Sequence, residues 1–380
     1  LTRQLPTVRI SKSKKISISS EPALWLNKVV MDVKELPERI GVPILIASWV
    51  LCLMGAGCTS SGKIARTVLQ APNQHIKIPP VFDRLGTILA SNYPIEHITV
   101  GPPPAILELM VLEPGDYNVE LNSTFTRIPT PSPRDRPRYE FNFTFDLSHF
   151  TPQPKAVPDN IRGTLFLLHG YGLNKEAMMP WALVLAEAGY RVVLVDLRGN
   201  GHSTGDNIYF GGIERTDMVQ CLDALRQRQI CVEPVGVLGI SYGAVLALQW
   251  AAIDPRLQSV AALSPYPDPE TAVDRYLQTF APNFTRRMDR KTADLVAAEL
   301  AEFPDLATET AIRQIKHPIL FIRGENDEVC LNQDIRQFQA AAAAGSEVEQ
   351  VPLANHLLTG LCITQLRSPV TNWFQRQLSR

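Results

Sequence analysis

Past Gly163 the apolar positions fall into two kinds of run that take turns along the chain. Short unbroken runs rich in β-branched residues predict strands covered on both faces: Thr164–Leu168, Arg191–Val195, Val235–Leu238, Leu257–Leu263 and Pro318–Ile322. Glu347–Val351 is the last of the strands. Between them stand runs of helical character: Glu176–Ala188 ended by Gly189, Glu214–Arg228, Ala244–Trp250 and Asp334–Ala344. A closing helix follows His356. Repeated strand–helix units imply an α/β fold, with a mostly parallel, doubly wound sheet and helices on both faces. In such a sheet the chemistry collects at the carboxyl ends of the strands.

The alternation is interrupted once. Asp268–Lys316 contains three helical stretches, Glu270–Phe280, Lys291–Glu302 and Thr308–Ile315, and no strand. An insertion at the carboxyl edge predicts a helical cap over residues 268–316 that forms a substrate pocket. The alternative is packing against the flank of the domain.

Before Gly163 the pattern has period two. Val119, Leu121 and Phe125 share one parity, as do Phe141, Phe143 and Phe145. The proline-charged stretch P-T-P-S-P-R-D-R-P separates them, which predicts an antiparallel hairpin with one buried face at the leading edge of the sheet. Ile106–Leu112 is an apolar run followed by the turn signal Pro114-Gly115-Asp116. Gly101-Pro102-Pro103-Pro104 suits neither helix nor central strand. It divides the first strands from Thr59–Pro80, a polar mixed stretch. The expected organisation is therefore a leader over 1–57, a tether over 58–104 and a compact domain over 105–380.

The leader carries an uncharged apolar run, Ile40–Leu53, too short for a comfortable membrane span. It ends in Met54-Gly55-Ala56-Gly57-Cys58. A short apolar core followed by small residues describes a signal peptide. Small residues directly before a cysteine resemble a bacterial lipoprotein signal, by which Cys58 would carry lipid and hold the protein at a membrane in the cell envelope. Gly55 departs from that pattern, standing where a larger aliphatic residue is usual. An uncleaved signal anchor or a plain secretory signal is the alternative. Leu1–Val30, with Lys12, Lys14 and Lys15, belongs to no evident fold and reads as an extension, disordered or mis-started.

Composition adds bounds. The 380 residues are 45% hydrophobic and 20% charged, which suits one large domain with extra segments. A net charge of -1 gives no reason to expect nucleic acid. Most of the 30 prolines lie before Pro158, so loops and edge strands belong there and the core lies after.

The strand Val235–Leu238 runs directly into Gly239-Ile240-Ser241-Tyr242-Gly243 and then into a helix. A strand that turns into a helix within a few residues needs a strained backbone, and Gly239 and Gly243 leave room for it. Ser241 would project at the carboxyl edge, next to the positive end of the helix. This is the G-x-S-x-G nucleophile elbow in its strand–turn–helix context. A serine hydroxyl needs a base, and the base needs a carboxylate to orient it. His356 follows the last strand and Asp327 follows the strand before it, in the chain order this architecture requires. Glu325 is the rival acid and Asp334 a third. Backbone N–H groups of Tyr171 and Tyr242 are the candidate oxyanion donors. His169 and Gly170 support the first of those loops. Asp196, Arg198 and His202 read as a strand end bracing its neighbours rather than as a second site.

With these motifs in place, the chain from about Gly163 to the C-terminus resembles the α/β-hydrolases. It is similar to the branch holding bacterial esterases, monoglyceride-lipase-like enzymes and proline-type aminopeptidases. The motifs that carry the resemblance are H-G-Y-G, D-L-R-G-N-G-H-S, G-I-S-Y-G-A, G-E-N-D and N-H. Asn200 stands where a His or Tyr is commoner. The resemblance implies a serine hydrolase with no metal and no organic cofactor. Cleavage of a small-molecule carboxylic ester is the leading expectation. A peptidase or amidase of the same fold, or an inactive binding module, is the alternative.

The triad requires the loops bearing Cys330 and Cys362 to meet, which makes a Cys330–Cys362 disulfide geometrically compatible, and Cys221 and Cys231 could pair across a helix end. Four buried free thiols are the alternative.

Overall fold

The computed structural model describes residues 29–32, 60–76, 93–128, 138–146, 149–151, 160–280, 286–303 and 306–379. The run Ile40–Leu53, Cys58 and the proline-charged loop at 129–137 lie outside them. Among the described residues no helix is long and apolar enough to cross a membrane.

The strands are β1 (Val29–Asp32), β2 (Ile95–Val100), β3 (Ala105–Leu112), β4 (Glu120–Ile128), β5 (Arg138–Asp146), β6 (Thr164–Leu168), β7 (Arg191–Val195), β8 (Val235–Ile240), β9 (Leu257–Leu263), β10 (Ile319–Gly324) and β11 (Glu347–Val351). The helices are α1 (Ser61–Leu69), α2 (Met179–Glu187), α3 (Glu214–Gln227), α4 (Tyr242–Ile253), α5 (Pro269–Phe280), α6 (Arg286–Glu299), α7 (Thr308–Gln314), α8 (Asn332–Ala341) and α9 (Ile363–Leu378). One eight-stranded sheet runs in the order β11-β10-β9-β8-β6-β7-β3-β2. From β7 to β11 its strands are parallel, while β2 and β3 are antiparallel.

The unbroken apolar runs have the expected cause. In β6, Phe166 and Leu168 enter one apolar cluster while Leu165 and Leu167 enter another. Successive strand side chains point to opposite faces, so both faces of this strand are covered. The first cluster holds Trp250 of α4 and Leu222 of α3; the second holds Trp181 of α2 and Trp373 of α9. The sheet thus lies between two helical layers.

The tether expectation needs correction. Its first part is α1, whose Ile64, Ala65 and Val68 are buried in the first cluster. These positions recur at helical spacing and form one stripe, and the Ser60 hydroxyl caps the helix by accepting from the Lys63 amide at 3.3 Å. Its last part is β2, paired with β3 along its whole length. Gly101–Pro104 is therefore the turn of a hairpin. The Gln220 side chain holds that turn through the N–H and C=O of Gly101 at 2.8 and 2.9 Å.

The hairpin at 119–145 exists, with Phe125 opposite Phe141, but it does not lead the main sheet. Hairpin β2–β3 does. Strands β4 and β5 instead join β1 in a sheet of three. Phe141, Phe143 and Phe145 bury themselves in the cluster that contains Trp373 and Phe374 of α9. The Ser123 amide and hydroxyl bond to Thr364 and Gln365 at the start of α9. A sheet too small to bury its own core uses the outer helix layer instead.

The insertion between β9 and β10 forms α5, α6 and α7, as the missing strand predicts. Helix α7 packs on α4, and α6 packs on α1, where Gly62 faces Leu295.

Candidate active site

Ser241 lies between β8 and α4 with φ 53° and ψ -114°, a left-handed backbone that an L-residue occupies only under constraint. The flanking glycines show the constraint. A Cβ on Gly239 would stand 2.1 Å from the carbonyl oxygen of Gly243, and one on Gly243 would stand 2.1 Å from that of Leu168. Strand β6 and helix α4 therefore close on the elbow from both sides. The Ser241 amide donates to Leu263 at 2.8 Å, which ties the turn to β9.

The three expected side chains meet. Ser241 Oγ is 2.8 Å from His356 Nε2. His356 Nδ1 is 2.9 Å from Asp327 Oδ1 and 3.1 Å from Oδ2. With Nδ1–H donating to the carboxylate, the lone pair of Nε2 faces the hydroxyl. Both His356 and Asp327 are buried. Burial works against ionisation of Asp327. The neighbouring His356 and the Cys330 amide, 2.8 Å away, outweigh it and hold the carboxyl below the usual aspartate value.

Their loops are stitched to each other. The Asn326 amide donates to the carbonyl of Ala354 at 2.8 Å, and the Leu353 amide donates to Glu325 Oε2 at 3.0 Å. Glu325, the rival acid, is thereby occupied with the loop. Asp334 is occupied too, accepting from the Leu331 amide at 2.7 Å and pairing with Arg275.

Tyr242 is the first residue of α4, so its N–H is one that a helix leaves without an intrahelical acceptor. The loop after β6 lies against the elbow: a Cβ on Gly170 would be 3.8 Å from that of Ser241. His169 is fully buried, and burial depresses its pKa. Its Nδ1 donates to the carbonyl of Gly170 at 2.8 Å, and its Nε2 accepts from the Leu197 amide at 3.1 Å. The neutral ring therefore bridges two loops and directs the Gly170–Tyr171 peptide.

Asp196, Arg198 and His202 form a brace behind this loop. Asp196 accepts from the Lys175 amide and ammonium at 2.6 and 2.9 Å, and from the His202 amide at 2.8 Å. Arg198 makes a buried two-pronged pair with Asp217 at 2.7 and 2.8 Å. Asn200 accepts from the Gly172 amide at 3.2 Å, a contact that the motif alone did not reveal.

The disulfide expectation fails. Cys330 and Cys362 are free thiols, as are Cys221 and Cys231. Loops that meet at the triad do not bring their cysteines together, because Cys330 packs in the cluster on one face of the sheet and Cys362 in the cluster on the other. Burial pushes the Cys362 thiol up to about 12.

Ser241 and His356 open into a cavity of about 190 Å³. Helix α5 of the cap lines it with Val273, Tyr276 and Leu277, so the cap does stand over the serine. Tyr266, Phe210, Val68 and Ile76 complete much of the wall. These residues belong to none of the motifs, and sequence spacing gave no sign of them.

Fold and site together have the arrangement of the α/β-hydrolase fold, a Ser–His–Asp relay at the carboxyl edge of a mostly parallel sheet. The family model of X-Pro dipeptidyl-peptidase (S15 family) matches residues 114–302, a range that contains Ser241 and ends before Asp327 and His356. The uncharacterized protein YqkD of Bacillus subtilis is 25% identical over 109 residues, 29% of this chain and 34% of that protein, so the match spans about a third of this relative. Among solved structures, the Pyrococcus furiosus esterase Pf2001 superposes with a TM-score of 0.54 at 18% identity, covering 77% of this chain and 94% of that one. The α/β-hydrolase GrgF of Penicillium sp. sh18 gives 0.52 at 13% identity, over 76% of this chain and 100% of that one. At such identities these two likenesses speak for the fold.

Proposed function

We propose that the protein hydrolyses carboxylic esters through an acyl-enzyme on Ser241. The observation that carries this reading is the continuous Ser241–His356–Asp327 chain, at 2.8 and 2.9 Å, opening into an apolar cavity. In the first step Ser241 Oγ bonds to the ester carbonyl carbon while its proton passes to His356 Nε2. The oxyanion gathers hydrogen bonds from the Tyr171 and Tyr242 amides. The carbon–oxygen bond to the alcohol breaks, and His356 returns the proton to the departing alkoxide. Water then attacks the acyl group by the same relay and frees Ser241.

The match to a dipeptidyl-peptidase family supports a second reading, cleavage of a peptide next to a free amine. Such a substrate needs a carboxylate to receive its ammonium group. Among the described residues, those lining the cavity include none. Ester chemistry is therefore the better fit. Purified protein should cleave p-nitrophenyl butyrate well and aminoacyl-prolyl p-nitroanilides poorly. The opposite preference would establish the peptidase reading.

We also propose that Cys58 carries a lipid anchor at the cell envelope. Incorporation of labelled palmitate into the wild type, and its loss in Cys58→Ser, tests this separately.

A further inference from the structure

We infer that the arm formed by α1 and residues 70–76 is the far wall of the acyl pocket, and that Val68 and Ile76 limit the substrate to short, neutral, apolar acyl groups. This rests on the reading of Ser241 as the nucleophile. The arm precedes every motif of the hydrolase core, yet Val68 and Ile76 line the same cavity as Ser241 and His356. Ile76 packs directly on the oxyanion loop: its Cδ1 occupies the place where a Cβ on Gly172 would come, 2.6 Å away. Gly172 itself has φ 68°, so its backbone is set for glycine there. Tyr171, the candidate oxyanion donor, gives its phenol hydrogen to the carbonyl of Val68 at 2.9 Å.

The arm is fixed at both ends of this contact. Asn73 donates from its amide to Gly199 at 3.0 Å and from its side chain to Ser203 at 2.8 Å. The Ala71 amide donates to Asp206 at 2.9 Å. Helix α1 leans on α6 of the cap. The arm thus joins the cap to the loop after β7 and adds its own wall to the cavity that both of them line. A wall held by so many backbone bonds does not yield to a longer chain at low cost.

Size and polarity set the substrate class. A cavity of about 190 Å³ is slightly larger than the ~150 Å³ apolar cavity that admits one benzene molecule. That corresponds to an acyl group of roughly four to eight carbons, or one aromatic ring. Among the described residues the lining holds no Asp, Glu, Lys or Arg, and burial keeps the phenols of Tyr171, Tyr242 and Tyr266 neutral, so apart from the catalytic His356 these residues offer no charged partner to an ionised acyl group.

The test uses alkyl fluorophosphonates from ethyl to dodecyl, which react with an activated serine whether its natural substrate is an ester or an amide. Phosphonylation rates of the wild type should peak between butyl and octyl. Val68→Ala and Ile76→Ala should raise the decyl-to-butyl rate ratio by roughly tenfold, and Ile76→Phe should lower it. The ratio is read within each variant, so a change in folded fraction cancels. Profiles that superimpose on the wild type in all three variants would overturn the role of the arm. No reaction of the wild type with any probe would overturn the nucleophile itself, and the arm's role with it.

Discussion

The imidazole of His169 donates to the carbonyl of Gly170 at 2.8 Å, and the peptide unit it grips is the one whose N–H belongs to Tyr171. In a planar trans peptide the C=O and N–H point in opposite directions, so holding one aims the other. A side chain outside the cavity lining thereby positions the proposed oxyanion donor. His169→Ala is expected to lower kcat by up to ~100-fold with little change in KM, since an oxyanion donor acts mainly in the transition state. His169→Gln keeps a donor for Gly170 and should recover part of the loss. A loss carried by KM in both variants would show that the ring only shapes the binding site.

Asp327 ties acid stability to the site. Its carboxyl ionises below the usual aspartate value because His356 and backbone amides outweigh its burial. A depressed carboxylate stabilises the fold fully above the unfolded value of ~3.9, and the contribution disappears as pH falls through the lower folded value. Melting curves of wild type and Asp327→Asn should therefore differ most at neutral pH and converge as pH falls below about 4. A gap that stays constant from neutral to acid would contradict this origin. Turnover by Asp327→Asn should fall by about 10⁴-fold, the scale found where the orienting acid of a triad is neutralised.

The status of α1 can be measured through stability. Ile64 is fully buried in the main cluster. Ile64→Ala should cost about 2–5 kcal/mol in urea unfolding, the ordinary range for truncating a core aliphatic. A segment that merely tethers the domain would show a cost near zero.

Much of this fold follows from local pattern, and the errors have physical causes. The strands β6 to β10 are largely apolar on both faces, and their shortness and their alternation with helical runs mark them as strands, whereas an equally buried run such as α2 is longer. The elbow was legible because strain concentrates its glycines around Ser241. Asp327 and His356 were legible because topology places them at neighbouring strand ends. Helix α1 was not, because a nine-residue element with one apolar stripe looks like mixed loop until a partner covers the stripe. The home of β4 and β5 was hidden for a similar reason. Their alternation declares one buried face and says nothing of what buries it, which proved to be α9. The pocket wall was the least legible, since Val68 and Ile76, Phe210, and Tyr266 come from three separate segments and share only their apolar character.

The cysteines provide a check on the two-faced core. With Cys330 and Cys362 on opposite sides of the sheet, melting temperature should not respond to dithiothreitol. All four described thiols should resist alkylation at neutral pH in the folded state, with Cys231, the one only half buried, reacting first, and all should react in urea. A Cys330–Cys362 peptide in a non-reducing digest would contradict the packing.

The reactivity of a single hydroxyl decides most. Purified protein incubated with a fluorophosphonate, then digested and analysed by mass spectrometry, should carry the phosphonyl group on Ser241. The modification should vanish in Ser241→Ala and fall steeply in His356→Ala, while both variants keep the wild-type circular dichroism. A correctly folded wild type whose Ser241 peptide stays unmodified, or one labelled equally well without His356, would mean that the serine and the imidazole lie side by side without forming a working nucleophile.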